Sequence, residues 1–205
     1  MFNLPTRVAN CLLVAFVAAA SLNLTGCANM APSESGFLQD YGTLKPVDGN
    51  DKIRVYQSAE RTRYKALLID PVQWQVNAKS NGDISESERL GLTKLFDEKL
   101  REKLNAYSFT AEPGPDVLRV RATITDVKTS SPAANIVLSA LLIGPLDNGG
   151  ASVEIEATDS LHQRRIAAMT ASETGAIIST GGFSKLGHAE TALADLAGDF
   201  AGTLK

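Results

Sequence analysis

Cysteine occurs only twice in the 205-residue chain, at Cys11 and Cys27, and histidine only at His162 and His188. So few thiols exclude a disulfide framework as the source of stability, so a folded domain here has to rest on buried apolar surface. Neither histidine has a cysteine, histidine or acidic partner at a recognised metal-ligand spacing, so both are expected to be ordinary surface histidines and no metal is expected. Positive charge is not in excess: 20 Lys plus Arg stand against 23 Asp plus Glu, a formal net charge of −3, which argues against nucleic acid as a partner. There is no Gly-x-Ser-x-Gly elbow and no phosphate-cradling glycine loop ahead of a helix, so the sequence points to no catalytic residue and no cofactor. The apolar run "CLLVAFVAAA", Cys11 to Ala20, falls short of the roughly 20 residues needed to span a bilayer.

That run has a different use. Arg7 is the only charge among the first 26 residues, and a short positive region followed by an apolar core ending in small residues is a secretory signal peptide. Leu24, Thr25, Gly26 and Cys27 complete it with a branched apolar residue, two small residues and a cysteine, an arrangement that resembles the lipobox of bacterial lipoprotein precursors. The resemblance implies cleavage between Gly26 and Cys27 and thioether lipidation of Cys27, with two or three acyl chains giving a stable membrane anchor where one would bind marginally. The other reading of Cys27 is a buried cysteine behind a conventional signal peptide. Ala28 and Asn29 follow Cys27, so the aspartate that retains enteric-type lipoproteins in the inner membrane is absent, and the outer membrane is the expected destination.

Beyond the anchor, residues 27–50 are rich in Ser, Pro, Gly and Asn and read as a lipidated N-terminus and tether, with a single domain over 51–205. "SGFLQDYGTLKP", Ser35 to Pro46, is too apolar for a free linker and is expected to dock on the domain. "DKIRVYQSAERTRYK" is locally basic and reads either as a solvated surface or as a face toward anionic lipid or peptidoglycan. "YKALLIDPVQWQV" is a strand with an edge or bulge at Pro71. Ser85 and Glu88 form a capping box ahead of a helix with Leu92, Phe96, Leu100 and Leu104 on one stripe. Leu118 to Thr125 and Ala151 to Thr158 alternate apolar and polar residues, and Arg164 to Thr174 returns as an antiparallel partner. A last helix carries Ala189, Leu193, Leu196, Phe200 and Leu204 on one face. The expected fold is therefore α+β: a two-layer sandwich with a mixed four-stranded sheet and two helices, in the order β-α-β-β-β-α.

Two places in this domain invite a functional question. Glu154 and Glu156 sit two apart on one strand face, as a carboxylate pair might, but an alternating strand places them in solvent with Val153 and Ile155 in the core. The uncharged connection "SPAANIVLSALLIGPL" carries Ile136, Val137, Leu141, Leu142 and Ile143, either a lid over the sheet or an apolar arm that meets lipid or a partner.

Ser35 to Pro46, "IDPVQW", "ITDVKTSSPAANIV", "GGASVEIEATDS" and "GGFSKLGHAETALADLAGDF" together resemble bacterial lipoproteins of the domain of unknown function family 3313. Leu161-His162-Gln163 stands where a Thr-Gly turn is expected, and Leu186 and Leu196 replace expected tryptophans. The resemblance implies an envelope lipoprotein without assigned chemistry. We therefore expect a non-catalytic protein, held to the membrane by its N-terminal lipid, whose domain binds or scaffolds an envelope protein or cell-wall component. The alternative is a glycan or peptide hydrolase using carboxylates not identifiable from the sequence.

Overall fold

Leu118, Val120, Ala122 and Ile124 alternate with polar residues along the longest strand, and burying that apolar row against helices organises the molecule. The structure, a computed structural model, describes residues 32, 34–76, 83–133, 136, 149–175 and 184–205. Its elements are β1 (Lys45–Val47), β2 (Asn50–Gln57), a 3-10 turn (Ala59–Arg63), β3 (Ala66–Ile69), β4 (Gln73–Trp74), α1 (Glu86–Lys103), β5 (Ser108–Phe109), β6 (Val117–Lys128), β7 (Gly150–Asp159), β8 (Arg165–Thr174) and α2 (Gly187–Leu204).

The expected four-stranded sheet is wrong. The strands form one eight-stranded mixed sheet in the order β1-β2-β8-β7-β6-β3-β5, with β4 also pairing with β6. The meander β6-β7-β8 is antiparallel as expected, and β3 and β4 both run parallel to β6 across the α1 crossover. Asp70-Pro71-Val72 breaks the expected single strand into β3 and β4, because proline lacks the amide that a continuous ladder would use. The stretch read as locally basic begins with β2, which pairs with β8 and aims Ile53 and Val55 at the core, and continues into the 3-10 turn. The folded unit also begins before residue 51, since β1 starts at Lys45 and residues 35–44 pack on the sheet.

Helices α1 and α2 share the core on one face. The capping box forms as read, the Ser85 hydroxyl accepting from the Glu88 amide and the Glu88 carboxylate accepting from the Ser85 amide. It presents Leu92, Phe96 and Leu100 to the core. On α2, which crosses β7 and β8 and packs on α1, Leu193, Leu196 and Phe200 are fully buried. The cross-strand pairs beneath it are Val153 with Ala171, Ile155 with Met169, and Ala157 with Ala167. Thr125 is an extra residue in β6 opposite β7, and this bulge returns Val127 to the core side.

Asp159 ends β7 and organises the turn into β8. Its carboxylate accepts from the Tyr64 hydroxyl at 2.8 Å and from the amides of Leu161 and His162 at 3.0 and 2.9 Å. Burial favours protonation of this group, but the His162 amide, the Tyr64 hydroxyl, the His162 ring and the Leu161 amide outweigh it and hold its pKa well below the usual carboxylate range. A depressed folded pKa contributes stability that is complete above the unfolded value near about 4 and is lost as pH falls toward the folded value. Asp159→Asn should therefore cost about 2 kcal/mol near neutral pH, about 4–8 °C for a domain of this size. Thermal melts should show that gap narrowing as pH drops below about 4; a gap independent of pH would contradict the charge's role.

Candidate functional site

The face of the sheet turned away from the helices is polar, yet its central strand is covered. Along β7 every residue from Gly150 to Asp159 is buried, so the expectation that Glu154 and Glu156 face water is overturned. The physical reason is a second layer: residues 35–44 lie across this face as a strap, burying Phe37, Leu38 and Leu44 against Ala168 with Tyr41 and Tyr56 alongside.

Cross-strand register explains the chemistry beneath the strap. Thr123 on β6, Glu154 on β7, Thr170 on β8 and Arg54 on β2 make one row across the sheet, and Arg121, Glu156, Ala168 and Tyr56 make the next. Glu154 points into the strap. One of its oxygens accepts from the Ser35 amide at 2.7 Å, and the other accepts from the Tyr41 hydroxyl at 2.7 Å and the Leu38 amide at 3.3 Å. Burial and the bond to Glu154 raise the Tyr41 pKa, which keeps the phenol a donor. Gly36 turns the strap there with φ of +85°, a left-handed conformation that a side chain would resist.

Glu156 is held from both sides. Arg121, directly opposite on β6, reaches one oxygen at 2.5 Å, and Arg165, diagonal on β8, reaches the other at 2.8 Å. Both arginines also touch the strap: the Arg121 guanidinium lies 5.2 Å from the centre of the Phe37 ring, and Arg165 donates to the Asp40 carbonyl. Gln39, Asp40 and Thr43 on the strap form one wall of a groove of about 510 Å³. Its other walls are Arg119 and Arg121 of β6, Glu156 and Thr158 of β7, Arg165 of β8, Tyr56 of β2, and Gln163 and Arg164 of the β7–β8 turn. Arg119 pairs with Asp70 at 2.9 Å, and Arg164 grips both oxygens of Glu60 at 2.6 Å.

The histidines divide. His162 is exposed beside Asp159, as expected, but His188 is fully buried and its Nδ1 accepts from the Gly149 amide at 3.0 Å. Gly175 passes so close that a Cβ there would lie 2.4 Å from the His188 ring, so this histidine fills the junction of β7, β8 and α2. No group of three His, Cys, Asp or Glu side chains able to hold a metal occurs among the described residues. No helix among them is long and apolar enough to cross a membrane. Gly26, Cys27, Val137, Leu141, Leu142 and Ile143 lie outside the described residues, whereas Ile136 is described and exposed. The groove was not foreseen from the sequence. Its only local trace is the charge of Arg119, Arg121, Arg164 and Arg165 beside strands that otherwise read as half-buried.

What the fold and site define is an α+β domain whose polar sheet face is sealed by the chain's own N-terminal segment. The chain belongs to the family described as protein of unknown function (DUF3313), whose model matches residues 33–200. No curated protein matches it. Among solved structures it is similar to a PelC dodecamer variant from Paraburkholderia phytofirmans, at 10% identity and a TM-score of 0.46, covering 74% of this chain and 95% of that one. A minor lipoprotein from Acinetobacter baumannii is similar at 13% identity and a TM-score of 0.36, covering 69% and 92%. A putative neuraminyllactose-binding hemagglutinin homolog from Helicobacter pylori is similar at 13% identity and a TM-score of 0.38, covering 78% and 92%. Likenesses at this level assign no activity.

Proposed function

We propose that this protein is a lipid-anchored envelope protein, tethered through Cys27 to the outer membrane, whose domain faces the periplasm and binds another envelope component without catalysing a reaction. The lipobox at Leu24 to Cys27 and the absence of aspartate at residue 28 support the anchor and its location. The observation that carries the non-catalytic reading is the engagement of the carboxylate pair. Both oxygens of Glu154 hold the strap and both oxygens of Glu156 hold arginines, whereas a glycosidase needs one acid poised to give up a proton and a second facing the substrate. The groove, by contrast, offers mixed donors and acceptors of the kind that fix a ligand's orientation.

Cells expressing the full chain and fed a clickable palmitate analogue should label the wild-type protein and not Cys27→Ala. The label should sediment with outer-membrane markers on a density gradient. Equal labelling of both proteins would remove the anchor from this reading, and co-sedimentation with the inner membrane would remove the location.

A further inference from the structure

We infer that the groove between the strap and strands β6 to β8 is a binding site for a carboxylate-bearing saccharide. The inference deepens the reading of the domain as a binder and rests on it.

Charge is the first argument. The chain carries a net charge of −3, yet four guanidiniums, those of Arg119, Arg121, Arg164 and Arg165, line this one groove. A guanidinium has five N–H donors in a rigid fork suited to carboxylates. The ion pairs of Arg119 with Asp70 and of Arg164 with Glu60 each use one edge of it. Both arginines are about half exposed, so each keeps N–H donors outside its ion pair that a ligand can take without breaking that pair.

The acceptors narrow the class. Glu156 and Asp40 also line the groove, with Thr43, Thr158, Gln39 and Gln163 beside them, and a carboxylate oxygen that already accepts from an arginine keeps a lone pair for a further donor. A phosphate dianion would meet repulsion from the two carboxylates and use none of these acceptors. A neutral sugar would use the acceptors and leave the arginine rim without a role. A sugar acid uses both sets: its hydroxyls donate to the floor, its carboxylate takes the rim, and the Tyr56 ring offers an apolar surface to a pyranose face. The cavity volume falls in the range of about 300–1,000 Å³ typical of small-ligand sites.

Calorimetry on the chain from Cys27 onward, produced with Cys27→Ser so that it carries no lipid, tests this with trigalacturonate, its methyl ester and inorganic phosphate. Trigalacturonate should bind, and the uncharged ester should bind at least tenfold more weakly. Arg119→Gln combined with Arg164→Gln should weaken trigalacturonate binding at least tenfold while leaving the melting curve nearly unchanged. Arg119→Gln alone should give an intermediate loss, which serves if the double variant does not fold. Absence of binding by trigalacturonate, equal binding of the ester, tighter binding of phosphate, or unchanged binding by the Arg119→Gln protein would each overturn the inference. Release of reducing ends from trigalacturonate would instead sink the non-catalytic reading on which it rests.

Discussion

Glu154→Ala should free the strap from the sheet. Ordering a segment as long as residues 35–44 costs roughly 1–2 kcal/mol per residue. Burying Phe37, Leu38 and Leu44 returns about 1.5–3 kcal/mol each, so the apolar contacts alone do not hold it. The largest share of the balance comes from one carboxylate that accepts from Ser35, Leu38 and Tyr41, since bonds to a charged group are worth about 1.5–3 kcal/mol each, with the Arg165 bond to the Asp40 carbonyl and the Arg121–Phe37 contact adding to it. Removing the carboxylate leaves the Ser35 amide and the Tyr41 hydroxyl without this acceptor, and the strap's release caps the loss at about 2–4 kcal/mol. Chymotrypsin should then cut after Phe37 or Tyr41 at least tenfold faster than in the wild type. Tyr41→Phe, which keeps the ring but deletes both the donor to Glu154 and the acceptor of the Gly36 amide, should cost about 1–3 kcal/mol. An unchanged melting temperature and cleavage rate for Glu154→Ala would mean that the strap is held by something else.

Val153→Asp should leave no stable fold. Val153 is fully buried, stands between Ile124 and Ala171 on neighbouring strands, and shares the core with α2. A carboxylate placed there has no partner within the apolar core, and the cost of about 4 kcal/mol or more is a large part of a domain's total stability. Val153→Ala, which only opens a cavity, should cost about 2 kcal/mol and stay measurable by urea unfolding. A folded Val153→Asp protein melting within a few degrees of wild type would mean that β7 is in the wrong register.

These two residues also mark where the sequence was informative and where it was not. Val153 was legible because core burial on one strand face writes a period of two into the residues themselves. The same holds for the stripe Leu92, Phe96 and Leu100, and for the Ser85–Glu88 cap, whose partners are three residues apart. Glu154 was not legible. An alternating strand under water and one under a second layer look alike locally, and the cover here comes from residues more than 100 positions earlier. The strap left one clue, since Phe37, Leu38, Tyr41 and Leu44 are too apolar for a free linker, but nothing in it says which face it covers. β2 was missed because Asp51, Lys52 and Arg54 and the arginines of the following 3-10 turn give the stretch a charged look, while Ile53 and Val55 become an inward row only through pairing with β8. His188 resembled a surface histidine because the backbone that receives it, at Gly149 and Gly175, is remote in sequence. The arginine groove assembles from four strands, the β7–β8 turn and the strap, so no single segment records it.

The strap's position has a consequence for reach. Ser35 is eight residue steps along the chain from Cys27, a leash of at most about 29 Å when fully extended, whereas Leu44 is seventeen steps away, at most about 61 Å. With Cys27 anchored as proposed, the docked strap keeps the domain close to the bilayer, and letting it go doubles the distance the domain can travel. Because Gln39, Asp40 and Thr43 form one wall of the groove, the extended arrangement also dismantles that wall. Height above the membrane and the shape of the groove are thus set by the same ten residues.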